Sequence, residues 1–306
     1  MTGSRRTLLI TGATGFIGRR CLPVALNAGF EVHAVSSRGY PPGAQPAVSW
    51  HRADLLDPAA VREIVERVKP SHLLHLAWIA KPGVFWTSEE NLDWLAASVQ
   101  LFRSFYAHGG ERALGVGTCA EYVWAAEDLR EDVTPLKPDT PYGRCKLAAS
   151  LGLEAAAAVF GKSAAWARLF FPYGPGEPPE RLIPTVIRGL LKGESVECTH
   201  GHQVRDFIFV DDVADALIKI LGSSATGAFN VGSGRALSLR DVVAIICAKL
   251  GRAELVRFGA RPAPPGDPER VVADMTRMKK EMGWQPSWSI EAGMDRTIAA
   301  WRETIT

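Results

Sequence analysis

Long apolar runs are missing from this chain of 306 residues. No stretch approaches the roughly 18 consecutive apolar residues that a membrane-spanning helix needs, so no spanning segment is expected. Arg5 and Arg6 before Thr7-Leu8-Leu9-Ile10 echo a signal peptide. That run breaks at Gly12 into a glycine-rich turn, however, and reads as a first buried strand. An excess of one charge is missing too: a net charge of +2 gives no reason to expect nucleic acid or a membrane surface as partner. Cysteine is sparse, with five residues (Cys21, Cys119, Cys145, Cys198, Cys247) and no CxxC spacing. That excludes a disulfide framework and a zinc site and suits a reducing, cytoplasmic compartment. His200-Gly201-His202 has no Cys, Asp or Glu set of recognisable spacing beside it, so no metal is expected.

What is present is ordinary globular material, 47% apolar and 22% charged, long enough for one large or two modest domains. Strand-like runs at Thr7–Thr11, Glu31–Ser36, His72–Leu76, Ala113–Val116 and Ala164–Leu169 alternate with amphipathic stretches near 16–28, 58–68, 89–107 and 141–160. Such alternation predicts an α/β fold, a Rossmann-type doubly wound parallel sheet, and the unbroken apolar runs fit strands buried on both faces. The texture changes after about residue 172. Pro172–Pro179 holds four prolines and two glycines and is predicted to continue neither strand nor helix. Beyond it come a helix at 182–193, a short strand at 204–210, a helix opening at Asp211-Asp212, a strand at 228–231, a helix from Ser238, a Pro/Gly-rich loop at 259–268 and two final helices. The expectation is a dinucleotide-binding domain over 1–171 and a smaller C-terminal α/β lobe over 172–306, with about 204–230 returning to the first domain.

The turn TGATGFIG follows the first strand and opens a helix, spacing Gly12, Gly15 and Gly18 by three. The first glycine permits a tight turn, the second lets backbone approach a pyrophosphate, and the third lets helix pack on strand. The helix N-terminus then offers N–H groups and a positive dipole end to the phosphates. An NAD site usually ends its second strand in Asp or Glu, whereas this strand ends Ala34-Val35-Ser36-Ser37-Arg38. Ser37 and Arg38 suit a 2′-phosphate, so NADPH is the expected cofactor and NAD the alternative; the plainer reading of Arg38 is a solvated loop residue.

Tyr142 and Lys146 stand four apart and share one face of a helix. An ammonium one turn away favours phenolate and is expected to depress the tyrosine pKa, while Thr118, just past the strand run Ala113–Val116, can donate to the same substrate oxygen.

With these residues in place the chain resembles an extended short-chain dehydrogenase/reductase of the nucleotide-sugar epimerase/dehydratase group. The matching segments are TGATGFIG (11–18), Asp54-Leu55, HLAW (75–78), Thr118, Tyr142/Lys146, RLFFPYGPG (168–176), RDFIFVDDVADA (205–216), FNVGSG (229–234) and MGWQPS (282–287). The resemblance implies Thr118, Tyr142 and Lys146 as catalytic triad. It implies a nicotinamide dinucleotide against Gly12, Thr14, Gly15, Phe16, Ile17, Gly18, Leu76 and Ala77, with Asp54 and Leu55 beside the adenine and Tyr142 and Lys146 at its other end. It also implies a nucleotide-diphosphate sugar held mainly by the C-terminal lobe. Candidate substrate residues are Trp78, Lys81, Cys119, Ala120, Glu121, Phe171, Arg181, Arg205 and Arg261. A homodimer paired through the helices near 89–107 and 141–160 is expected on the same ground.

The departures from the family pattern narrow the chemistry. Dehydratases of this group follow the threonine with an Asp-Glu pair, and here Cys119-Ala120 stand there, so dehydration is disfavoured. Epimerase-reductases place a Cys where Ala120 stands and a His where Arg181 stands, which disfavours that chemistry as well. The surviving reading is NADPH-dependent reduction of the C4 ketone of an NDP-4-keto-6-deoxyhexose, which the GTCAEYVW segment also resembles. The alternatives are an NDP-sugar 4-epimerase with tightly held NAD and a nicotinamide-binding regulator. Glu121 reads equally as buttress or sugar contact. Phe171 replaces a family asparagine, and Trp94 stands where another is sought in the helix after HLAW. With Trp78, Phe85 and Trp86 these aromatics are either core or an apolar wall for a deoxygenated sugar face.

Overall fold

A computed structural model describes residues 6–39, 43, 45–124 and 127–305; Arg5 lies outside them. Its strands are β1 (Thr7–Thr11), β2 (Glu31–Ser36), β3 (Val48–Arg52), β4 (His72–His75), β5 (Arg112–Thr118), β6 (Ser163–Leu169), β7 (Phe171–Tyr173), β8 (Val196–Cys198), β9 (Val204–Arg205), β10 (Phe207–Phe209), β11 (Gly227–Val231), β12 (Leu237–Ser238), β13 (Val256–Phe258) and β14 (Arg270–Val271). Its helices are α1 (Gly18–Asn27), α2 (Pro58–Val68), α3 (Glu90–Ala107), α4 (Pro141–Phe160), α5 (Leu182–Lys192), α6 (Val210–Gly222), α7 (Leu239–Leu250), α8 (Thr276–Met282) and α9 (Ile290–Ile305).

Seven strands form one parallel sheet in the order β11-β6-β5-β4-β1-β2-β3. β1 pairs with both β2 and β4, so the strand order reverses there and leaves a crevice at the carboxyl ends of these strands. Alternation along the strands builds a core on each face. Leu8, Ile10, Leu74 and Leu114 point into one cluster with residues of α1 and α6, and Leu9, Leu73 and Ala113 point into the other with residues of α2, α3 and α4. Local chemistry sets the helix ends. Asp57 accepts from the Ala59 N–H ahead of Pro58 in α2, and Thr140 accepts from the Gly143 N–H ahead of Pro141 in α4. A third core, with Ile187, Val243 and Met294 at its centre, unites α5, α7 and α9 in the C-terminal lobe.

The Rossmann-type α/β expectation holds, with local differences that include the short strands β8, β12, β13 and β14, absent from the sequence expectation, and three others. β3 was not foreseen; only Val48 of its five residues is fully buried, and its Ser49, His51 and Arg52 mask the strand pattern. Pro172 does sit in a strand, β7, which pairs with β10 alone in a two-stranded sheet, where a missing N–H is tolerated. The single strand expected at 204–210 is broken at Asp206. Its buried carboxylate accepts from Ser233, Gly234 and Ala273 and turns the chain from β9 into β10. Among the described residues no helix is long and apolar enough to cross a membrane.

Candidate active site

The turn between β1 and α1 is close-packed backbone. Gly12 has φ +68°, and a Cβ there would lie 2.8 Å from the Ala77 nitrogen. A Cβ on Gly15 would lie 3.1 Å, and one on Gly18 2.1 Å, from the Gly12 carbonyl oxygen. No side chain caps α1 and no acid stands in its first turn. The Arg19, Arg20 and Cys21 N–H groups turn back to the Gly15 and Ile17 carbonyls, and the positive end of the helix dipole favours an anion there. A cleft of about 640 Å³ opens over this turn. Gly12, Thr14, Gly15, Phe16, Ile17 and Gly18 line one end of it. Ser37, Asp54 and Leu55 line it at the ends of β2 and β3, and Leu76 and Ala77 beyond β4. Such a cradle, which side chains would fill, fits a dinucleotide diphosphate. Arg38 is the exception in this set: it is exposed one residue beyond the lining, and its backbone N–H donates to the buried Ser36 hydroxyl.

Thr118 ends β5 and caps the single 3₁₀ turn Cys119–Glu121, accepting from the Ala120 N–H at 3.2 Å. Glu121 completes the capping box by accepting the Thr118 N–H at 2.9 Å. Its carboxylate is wholly buried and also accepts from Trp166 Nε1 and, at 2.8 Å, from Arg168 Nε. Glu121 therefore braces the loop and is no part of the cleft wall. Ala120, buried in the same turn, is also off the wall. Cys119 does line the cleft, its thiol pushed up to about 12 by burial.

Tyr142 and Lys146 enter the cleft from the first turns of α4. The Tyr142 N–H donates to the Trp86 carbonyl at 3.2 Å, and its ring meets Phe85 and Trp86 edge-on, centroids 4.7 and 5.6 Å away. Burial raises the phenol above its ordinary value, outweighing the lowering by Thr118 and Arg181. The expected depression by Lys146 is thus absent from this geometry. Lys146 is instead buried: its Nζ donates to the Val116 carbonyl at 2.8 Å and stands 4.0 Å from the centre of the Trp78 ring. Desolvation pulls it down to about 7 against the opposing charge of Glu121.

The C-terminal lobe supplies the facing wall. Phe171, Arg181 and Arg205 line the cleft, as does Trp78 from the sheet side. Arg205 is buried and paired with Asp267 at 2.6 Å, its guanidinium 5.5 Å from the Phe171 ring centre. Arg181 reaches Glu177 at 3.3 Å. Two expected residues lie elsewhere. Lys81 is exposed in the turn preceding Phe85, and Arg261 is exposed in the 259–268 loop, where it borders a separate hollow with Arg188, Lys192 and Arg257. The longer ARPAPPGD loop carries Arg261 away while bringing Asp267 to the cleft.

Sequence reasoning missed Glu177, Asp267 and Asn91. Glu177 is buried in the wall and pushed up to about 7 by desolvation, one of its oxygens having no hydrogen-bond partner. An acid inside a proline-rich turn was the only signal for it. The asparagine sought at Trp94 is present one turn earlier: Asn91 is fully buried and accepts from Trp78 Nε1 at 2.9 Å. Trp94 itself lines the cleft. His200 and His202 stack on each other, and the His202 N–H donates to His200 Nδ1.

A parallel sheet with its order reversed beside a glycine cradle, facing a smaller lobe across a cleft, defines a Rossmann-type nucleotide-binding protein. The family model described as "NAD dependent epimerase/dehydratase family" matches residues 8–232, and the chain belongs to that family. It is 27% identical to a dTDP-glucose 4,6-dehydratase of Xanthomonas campestris pv. campestris, over 95% of this chain and 92% of the relative. It is 28% identical to a UDP-glucose 4-epimerase of Corynebacterium glutamicum, over 91% of this chain and 90% of the relative. The solved structure of MoeE5 in complex with UDP-glucose and NAD superposes with a TM-score of 0.86 at 29% identity, over 98% of this chain and all (100%) of that one.

Proposed function

We propose that the protein is a nucleotide-sugar oxidoreductase that reduces the C4 ketone of an NDP-4-keto-6-deoxyhexose with NADPH. The observation that carries this reading is the pairing of Thr118, Tyr142 and Lys146 in one cleft with Cys119 and Ala120, rather than two carboxylates, after the threonine. That set can protonate one developing alkoxide but has no acid and base beside Thr118 to remove water from neighbouring carbons. When bound, the reduced nicotinamide supplies the hydride. Tyr142 holds the proton for the substrate oxygen and Thr118 orients the carbonyl, while Lys146, seated on the Val116 carbonyl, offers its remaining N–H to the ligands in the cleft. The glycine cradle receives the cofactor diphosphate, and the C-terminal lobe, through Arg181 and Arg205, receives the sugar's nucleotide diphosphate. The absence of an acid after β2 supports the phosphorylated cofactor, with Ser37 on the wall and Arg38 free at its margin to meet a 2′-phosphate.

The test is loss of reduced-nicotinamide absorbance with an NDP-4-keto-6-deoxyglucose, NADPH and NADH in parallel. Stoichiometric oxidation favouring NADPH, abolished by at least about 100-fold in Tyr142→Phe, is expected. The second reading is an NDP-sugar 4-epimerase with tightly held NAD, which the likeness to a UDP-glucose 4-epimerase favours. It would interconvert UDP-glucose and UDP-galactose with no added nicotinamide, and that turnover would displace the reductase.

A further inference from the structure

Lys146 is held on two sides. One N–H donates to the Val116 carbonyl at 2.8 Å, and the ammonium stands 4.0 Å from the Trp78 ring centre. An ammonium has three N–H donors, so this seating leaves one for a ligand in the cleft. Trp78 is itself fixed: its Nε1 donates to Asn91 Oδ1 at 2.9 Å. Asn91, with no exposed surface, donates in turn to the Phe85 and Ser88 carbonyls at 2.7 and 2.8 Å. The same short segment takes the Tyr142 N–H on the Trp86 carbonyl. Both members of the Tyr/Lys pair are thus tied to residues 85–88, one directly and one through the indole.

We propose that Trp78 is a positioning residue for Lys146, its indole face holding the lysine in the charged form and aimed into the cleft. The inference rests on the proposed function only for its effect on turnover; the placement of the ammonium stands without it. A buried ammonium loses its hydration, and the negative face of an indole returns part of that stabilisation to the charged state alone. The other charges that face Lys146 are Glu121 beyond β5, which favours the ammonium, and His75 on β4, which is buried and neutral at pH 7. Tyr142 on its own helix is protonated there as well. Desolvation and Glu121 oppose each other at the lysine, with desolvation the larger, and the Trp78 face adds to the side of Glu121.

The test needs neither cofactor nor substrate. Protein carrying [13Cε]-lysine is titrated by NMR, with Lys146 assigned from Lys146→Arg. Wild type is expected to show its midpoint near 7. Trp78→Leu keeps an apolar filler without a π face, and its midpoint is expected to fall by about half to one pH unit. Trp78→Phe keeps a weaker face and is expected to fall between the two. A midpoint that stays or rises in Trp78→Leu overturns the proposal. Should that variant not fold, an unchanged midpoint in Trp78→Phe does the same. With the keto-sugar, Trp78→Leu is expected to lose about two- to fivefold in kcat at pH 7, the fall in the charged lysine fraction that such a shift gives. If wild type itself does not turn that sugar over, the reductase reading fails while the NMR result still decides the role of Trp78.

Discussion

Each oxygen of the Glu121 carboxylate is taken: one by the Thr118 N–H and Trp166 Nε1, the other by Trp166 Nε1 and Arg168 Nε. Both partners of the Arg168 pair are buried, at 4% and 0% exposure, so removing the charge strands a guanidinium away from water. Glu121→Gln is therefore expected to cost about 3–5 kcal/mol in urea unfolding and to reduce turnover by loosening Thr118. A loss below about 1 kcal/mol would return Glu121 to the set of possible ligand contacts. The same residue marks how far single positions are legible. Tyr142 and Lys146 are readable because their relation is local, one helical turn. The role of Glu121 depends on Trp166 and Arg168, brought from β6 by the fold alone, and no local spacing announces them. Trp78 under Lys146 and Asp267 on Arg205 were hidden for the same reason.

Elements were legible where local chemistry and burial agree. The bounds of α2 follow from Asp57, Pro58 and the turn at Lys69, and the glycine turn follows from its spacing at a strand–helix junction. β3 was hidden because an edge strand with polar residues has no period of its own, and β7 because proline outweighs pairing in any local reading. The turn that opens α1 makes the sharpest demand on sequence. A Cβ on Gly18 would meet the Gly12 carbonyl oxygen at 2.1 Å and the Ala13 Cα at 2.8 Å, both backbone, so no rotamer relieves the clash. Gly18→Ala must open the turn or shift the helix. A nicotinamide dinucleotide at 100 times its Kd is expected to stabilise wild type by about 2.7 kcal/mol, and the variant should lose most of that gain. A cofactor-induced rise in Tm equal to that of wild type would show that this turn does not carry the diphosphate.

At the scale of the whole molecule, the outer faces of α3 and α4 leave Leu92 at 64%, Leu151 at 58% and Val159 at 80% exposure. Pairing of two copies through these helices is expected. Light scattering should give twice the 33.2 kDa chain mass, and Leu92→Glu with Leu151→Glu should halve it. The buried titrating groups then set how the fold responds to pH, and their signs differ. His75 is buried between the Thr11 and Ser98 hydroxyls, and desolvation with Lys146 nearby lowers it from 6.5 to about 3. Between those values the unfolded chain binds a proton that the folded one refuses, so stability falls as pH falls through that window. His51 and His72 are lowered too and act with the same sign. Glu177 runs the other way: raised from 4.5 to about 7, it keeps a proton in the fold that the unfolded chain releases, and stability falls as pH rises through that window. Each buried group contributes a slope of about 1.4 kcal/mol per pH unit where its two states differ by a full proton. Between 4.5 and 6.5 the slopes contributed by His75 and Glu177 oppose each other and nearly cancel. Glu177→Gln removes a falling slope and should make stability rise more steeply with pH there, whereas His75→Gln removes a rising slope and should lower the gradient by about as much. Urea unfolding at the two ends of the window separates the cases, and three parallel profiles would mean that neither group is buried in the folded state.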